Sequence, residues 1–282
     1  MRNPFYKFSV ITLCLITHFA FGNDRASIDT GKKYKLVWAD EFNHNGPPDP
    51  GNWKFENGFV RNHELQWYQT QNARCKKGLL IIEVRKEHVP NPGYDSLGTN
   101  WKTKRPFIEY TSASINTAGL HSWKYGRFVM RAKIDTNIGL WPAFWMLGVS
   151  GKWPSNGEID IMEYYRGKIL ANIACGTDIA YKAQWFSNTK AIKSFSDPRW
   201  ASKFHIWRMD WDEKGISLYV DDHLMNHVDL DKLVNKDGTG INPFTQPQYI
   251  LLNLALGGDK GGDPSTTNFP KRYEIDYVRV YQ

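Results

Sequence analysis

The chain has 282 residues, 41% hydrophobic and 23% charged, with 23 Gly and 14 Pro. At roughly 150 residues per domain it has room for one or two domains with a sizeable core, and the composition excludes a disordered or collagen-like chain. The formal net charge is +7, but basic runs are as short as 76–77 and 102–105, which excludes a nucleic-acid surface.

In chain order, residues 1–22 read as a secretory signal. Arg2 and Lys7 precede an apolar run from Phe8 to Phe21, which closes on the small-x-small end Ala20-Phe21-Gly22. The run is about 14 residues, interrupted by His18, against the ~20 needed to cross a bilayer. Cys14 follows Thr12-Leu13 and not small residues, which argues against a lipid anchor. The expectation is an exported monomer, secreted or periplasmic, with residues 23–282 as one domain and no membrane attachment after cleavage. Past the signal only Cys75 and Cys175 remain, so the fold does not rest on a disulfide framework, although one bridge between them is open.

Beyond the signal there is no low-complexity segment and no repeat. Helical periodicity is almost absent. Short runs rich in Val, Ile, Tyr, Phe and Trp predict strands at 35–38, 79–84, 112–116, 125–134, 143–147, 159–165, 205–210, 217–220, 249–254 and 273–281. Turn chemistry separates them at Asn45-Gly46-Pro47-Pro48, Asn91-Pro92-Gly93, Glu213-Lys214-Gly215 and Gly257-Gly258-Asp259. So many short strands in one domain imply an all-β sandwich or barrel. Aromatics are abundant, with 12 Trp, 14 Tyr and 15 Phe, and some of those rings are expected to face a ligand.

The segment from Gly157 through Glu158-Ile159-Asp160-Ile161-Met162-Glu163 carries the chemistry. Alternation puts Glu158 and Asp160 on one face and Ile159 and Ile161 in the core, leaving Glu163 on the wrong side. A β-bulge at Met162 shifts the phase by one and lines up all three carboxyls. Such crowding suits a retaining glycosidase, which needs a nucleophilic carboxylate and a second carboxyl of raised pKa about 5–5.5 Å away. Glu158 and Glu163 remain about four strand steps apart, roughly 13 Å on a straight strand, so curvature and leaning side chains must close the gap. A solvated acidic face and a calcium site made of the three acids are the competing readings. His223 and His227 read as a surface pair, and 257–262 lacks the Lys-Ser/Thr of a phosphate loop.

Six segments then resemble glycoside hydrolase family 16 in the family's order. They are Trp38-Ala39-Asp40-Glu41-Phe42, Asn62-His63-Glu64-Leu65-Gln66, the run Gly139-Leu140-Trp141-Pro142-Ala143-Phe144-Trp145-Met146-Leu147-Gly148, the acidic strand, Leu251-Leu252-Asn253-Leu254-Ala255-Leu256-Gly257-Gly258, and Asp276-Tyr277-Val278-Arg279-Val280-Tyr281. The resemblance implies a β-jelly roll of two curved antiparallel sheets with a concave polysaccharide cleft. It implies Glu158 as nucleophile, Glu163 as acid/base and Asp160 as the group tuning both, with no cofactor for catalysis. It also implies sugar contacts from Asn62, Glu64, Trp141 and Trp145, and a structural calcium at Glu41, Asp276 and the Gly78 carbonyl. The Met162 insertion resembles the bulged, laminarinase-like branch. Against a 1,3-glucan substrate stand Ser114 and Ala174, where an Arg and a His are more usual in such relatives. Residues 180–185, with Tyr181, Gln184 and Trp185, are expected to extend the cleft as a wall.

The expected function is endo-acting, retaining cleavage of β-1,3- or mixed β-1,3/1,4-glucans. An agarase- or porphyranase-like galactan hydrolase is the first alternative. A non-catalytic carbohydrate-binding jelly roll is the second, though it has no reason to keep both glutamates.

Overall fold

The computed structural model describes residues 33–282, so the expected signal at 1–22 lies outside the described residues. In chain order the strands begin with β1 (Leu36–Asp40), β2 (Lys54–Phe55), β3 (Gln66–Tyr68), β4 (Ala73–Lys76), β5 (Leu79–Pro90) and β6 (Phe107–Ser112). Then come β7 (Ser114–Asn116), β8 (Gly126–Lys133), β9 (Leu140–Gly148), β10 (Glu158–Tyr165), β11 (Lys168–Gly176) and β12 (Ala183–Ala191). The last five are β13 (His205–Trp211), β14 (Gly215–Val220), β15 (His223–Asp229), β16 (Gln248–Leu256) and β17 (Lys271–Tyr281). Each predicted run is a strand, joined by β2, β3, β4, β6, β11, β12 and β15.

The strands form two sheets, as expected of an all-β jelly-roll sandwich. The ten-stranded sheet has the order β15-β14-β13-β8-β17-β5-β6-β3, with β1 on β17 and β4 on β5; the seven-stranded sheet runs β12-β11-β10-β9-β16-β7-β2. One pairing departs from the antiparallel expectation, since β3 lies parallel to β6. Among the described residues no helix is long and apolar enough to cross a membrane.

Period-2 patterning explains why the sheets face each other. On β8, Phe128, Met130 and Ala132 are buried while Arg127, Val129, Arg131 and Lys133 lie half-buried on the outer face. From the other sheet Phe144, Met146, Ile173, Ile250, Leu252 and Leu254 complete one continuous core with them. Burying each such side chain contributes about 1.5–3 kcal/mol. Cys75 and Cys175 are both buried in this core and free, so the open bridge is not formed.

Ala143, Trp145 and Leu251 form a second small apolar cluster, flanked by Leu147 and Tyr249. These alternate with the core residues of β9 and β16, so they lie on the outer face of the seven-stranded sheet. The acidic segment shares that face.

Candidate active site

Gly157 opens β10 at φ +79, where a Cβ would come within 2.9 Å of Phe244 and Pro243, so only glycine starts the strand there. From it, Glu158 pairs with Leu147 on β9 and Ala174 on β11, and Asp160 pairs with Trp145 and Asn172. The register then slips. Met162 faces Phe144, the next residue along β9, and Glu163 faces Ala143 and Leu170. Ile161 and Met162 both enter the core. The bulge expected at Met162 is therefore present, with Ile161 as the residue left without a β9 partner. It returns Glu163 to the face of Glu158 and Asp160.

Contacts between side chains bridge the four strand steps. Asn172 donates its amide to Asp160 Oδ2 and to Glu163 Oε2, both at 3.0 Å, and a further hydrogen bond joins Glu158 to Asp160. Two indoles hold the outer ends: Trp153 donates to Glu158 Oε2 at 2.5 Å and Trp141 donates to Glu163 Oε1 at 2.6 Å. Burial, then repulsion from Asp160, pushes Glu158 and Glu163 well above the usual carboxylate range. Burial lifts Asp160 to about 6, against the pull of Asn172. Three carboxyls so crowded do not all ionise together, so the cluster gives up its protons in steps. An indole N–H favours the anion of each glutamate, Trp153 at Glu158 and Trp141 at Glu163, where Lys260 adds to it.

Trp141 and Trp145 stand on the site face but are only 7% and 8% exposed. Their N–H groups are committed, Trp141 to Glu163 and Trp145 to Asn253 Oδ1 at 2.8 Å. Asn253 in turn donates to the Tyr68 hydroxyl, which donates to Glu64 Oε2. Glu64 is nearly fully buried, with Gln66 donating to Oε2 at 2.7 Å and Asn62 to Oε1 at 3.3 Å, and burial raises its pKa. Asn62 is exposed at φ +54 on the loop before β3. All of the expected sugar contacts thus lie on one side of the acidic strand, toward β9 and β16 or the loop covering them.

Three further features join the site without a signal in the sequence strong enough to single them out. Asn172 sits beside the acids because β11 pairs with β10, and its Oδ1 is buried with no partner among the described residues. Trp153 approaches from the loop preceding Gly157. Arg61 lies 5.1 Å over the Trp145 ring, paired with Glu56, whose Oε2 accepts from Ser114 Oγ at 2.6 Å. Ser114 therefore anchors a guanidinium that arrives from another strand's loop.

The three residues expected to hold calcium are placed elsewhere, near the chain's closing strands. Glu41 is forked by Arg279 at 2.7 and 2.8 Å, and Asp276 accepts from Arg131 at 2.6 Å. Gly78 follows β4 at φ +74. His223 and His227 are exposed on β15, the surface pair expected of them.

Comparison with known proteins supplies the context for this geometry. The profile of the family described as Glycosyl hydrolases family 16 matches residues 61–279. A Beta-glucanase of Rhodothermus marinus is 35% identical over 100% of this chain and 95% of its own length. Some other curated relatives are much longer, and the chain spans 38% and 37% of two of them. Among solved structures, the laminarinase catalytic domain of Thermotoga maritima is 34% identical, covers 89% of this chain and 99% of its own, and superposes with a TM-score of 0.74. A structure from work on endo-acting O-glycanases of the human gut microbiota that initiate mucin breakdown is 33% identical over 88% of this chain and 91% of its own, at a TM-score of 0.79.

Proposed function

Because the chain belongs to glycosyl hydrolases family 16, we propose that it is an exported, endo-acting, retaining hydrolase of β-1,3- or mixed β-1,3/1,4-glucans, of the bulged, laminarinase-like branch. One observation carries the reading: the bulge in β10 gathers Glu158, Asp160 and Glu163 on a single outer face.

Glu163, protonated at rest, gives its proton to the glycosidic oxygen while Glu158 attacks the anomeric carbon. The bond to the leaving sugar breaks and a glycosyl ester forms on Glu158. Glu163, now a carboxylate, takes a proton from water, whose oxygen attacks the same carbon and frees Glu158. Asp160 hydrogen-bonds Glu158 and, through Asn172, is tied to Glu163, so it sets the orientation and charge of both. Trp141 orients Glu163 and Trp153 holds the anionic oxygen of Glu158. Monomeric action on a polysaccharide needs no cofactor in this scheme.

A second reading has its own support. The O-glycanase structure superposes at a TM-score of 0.79 against 0.74 for the Thermotoga laminarinase, and Ser114 and Ala174 stand where 1,3-glucanases more usually have an Arg and a His. On this reading the substrate is a galactose-containing glycan, cut by the same three acids.

The deciding experiment is side-by-side hydrolysis of laminarin, barley glucan, agarose, porphyran, carrageenan and a poly-N-acetyllactosamine glycan, with product sizing. Endo-cleavage of laminarin or barley glucan with retained anomeric configuration is expected, and Glu158→Gln should abolish it. Faster cleavage of any galactose-containing glycan than of both glucans overturns the glucanase reading.

For the structural calcium, Glu41, Asp276 and the Gly78 carbonyl are the all-oxygen donors that ion takes. Binding there competes with Arg279 and Arg131. A chelator is expected to lower the melting temperature of the wild type and not of Asp276→Ala; equal melting with and without chelator ends the proposal.

A further inference from the structure

Trp185 differs from the other tryptophans of this face. It lies on β12, the edge of the seven-stranded sheet, opposite Ala174, which in turn lies opposite Glu158. The next residue, Phe186, packs against the core, so alternation turns Trp185 to the outer face, in one row with Glu158. At about 4.8 Å per strand the two rows of backbone are roughly 10 Å apart, a span on the scale of a disaccharide. Trp185 is 45% exposed, and among the described residues its ring stacks on no other aromatic and its N–H meets no acceptor. Between it and Glu158 in the same row lies Ala174, itself fully buried, while Ser187 and Thr189 continue the same face of β12 as small polar residues. Trp141 and Trp145, by contrast, spend their N–H groups on protein acceptors.

We propose that Trp185 is a sugar-stacking binding residue, forming a distal subsite for a pyranose of the substrate chain that crosses β11 after passing Glu158. This rests on the glycan-hydrolase reading above. An indole offers a pyranose both an apolar face to cover its axial C–H groups and a free N–H donor. The occupant is a sugar of the same chain being cut, since the ring shares a row and a face with the nucleophile.

The test uses the full chain as wild type, Trp185→Ala and Trp185→Phe, with oligosaccharides of graded length from whichever polysaccharide the wild type cuts. For long oligosaccharides Trp185→Ala should raise KM about tenfold with kcat within about twofold, and should shift the product sizes. The shortest cleavable oligosaccharide should be unaffected, and Trp185→Phe should recover most of the loss. The side chain is exposed on an edge strand, so an unchanged melting temperature is expected and separates binding from folding. Identical KM values at every length, or an equal loss for short and long chains, overturns the subsite. Absence of cleavage by the wild type on every glycan overturns the hydrolase reading instead; calorimetric titration of laminarin and lactosamine oligosaccharides then tests Trp185 alone, weaker binding by Trp185→Ala supporting it and equal or absent binding rejecting it.

Discussion

Asp160 is 4% exposed, and burial lifts its pKa from 3.8 to about 6. The folded state therefore holds this proton more tightly than the unfolded chain does. Its stabilising contribution is fully present below about pH 4 and is lost as pH rises through about 6. Asp160→Asn removes the charge that costs stability at neutral pH while keeping an acceptor for Asn172. At pH 7 the variant should gain on the order of 2 kcal/mol, about 5 °C in melting temperature, and the gain should vanish below about pH 4 in melts run across pH. Its turnover should fall, because Glu158 loses its acidic partner. A variant no more stable than wild type at pH 7 would show that the cluster carries no strain of charge. Glu163→Ala addresses the other end of the cluster. It should lower kcat by about 10²–10⁴-fold on polysaccharide, with azide restoring part of the rate on substrates with good leaving groups, because a small anion needs no base to activate it. An inverted product by NMR, or no rescue, counts against double displacement.

In β10, the single residue looped out between Asp160 and Glu163 makes a prediction about deletions. Without Met162, Ile161 moves opposite Phe144 and Glu163 stays opposite Ala143, so alternation alone keeps all three acids on one face. Deleting Met162 should destabilise the fold by about 2–5 kcal/mol, since a fully buried side chain is lost, yet leave measurable turnover. Deleting Ile161 and Met162 together should turn Glu163 into the core and abolish activity. Equal activity in the two deletions, checked on folded protein, would show that the bulge does not set the facing of Glu163. The same periodicity accounts for what could be read from the chain alone. Strands such as β8 and β17 bury one face and alternate, so they announce themselves. On β11 Leu170, Asn172 and Ala174 of the outer face are buried along with Ile169, Ala171 and Ile173, so its run shows no period of two. The polar edge strand β12 and the two- to four-residue strands β2, β3 and β4 give too little pattern to find. In the site, Glu158, Asp160 and Glu163 were legible because they share a strand. Asn172, Trp153 and Arg61 were not, because strand pairing brings Asn172 across from β11, a loop folds Trp153 back onto Glu158, and Arg61 arrives from a distant loop.

At the scale of the whole fold, both sheets close over one core, and among the described residues no disulfide between them holds it shut. Cys75 contributes to that core from the ten-stranded sheet and Cys175 from the seven-stranded one, each buried and unpaired. Burial pushes the Cys75 thiol up to about 12 and raises that of Cys175 as well, so little thiolate exists near neutrality to meet a reagent. The two sulfurs thus make the protein its own opening clock, with one hand in each sheet. With a chromogenic disulfide reagent in excess, Cys75 and Cys175 should each release one equivalent of dye, at a common rate set by global unfolding if the sandwich opens as a unit, and at two rates if one sheet loosens before the other. A bound oligosaccharide should slow the seven-stranded sheet's hand at least as much as the other, since it rests on that sheet's outer face and not on its partner's.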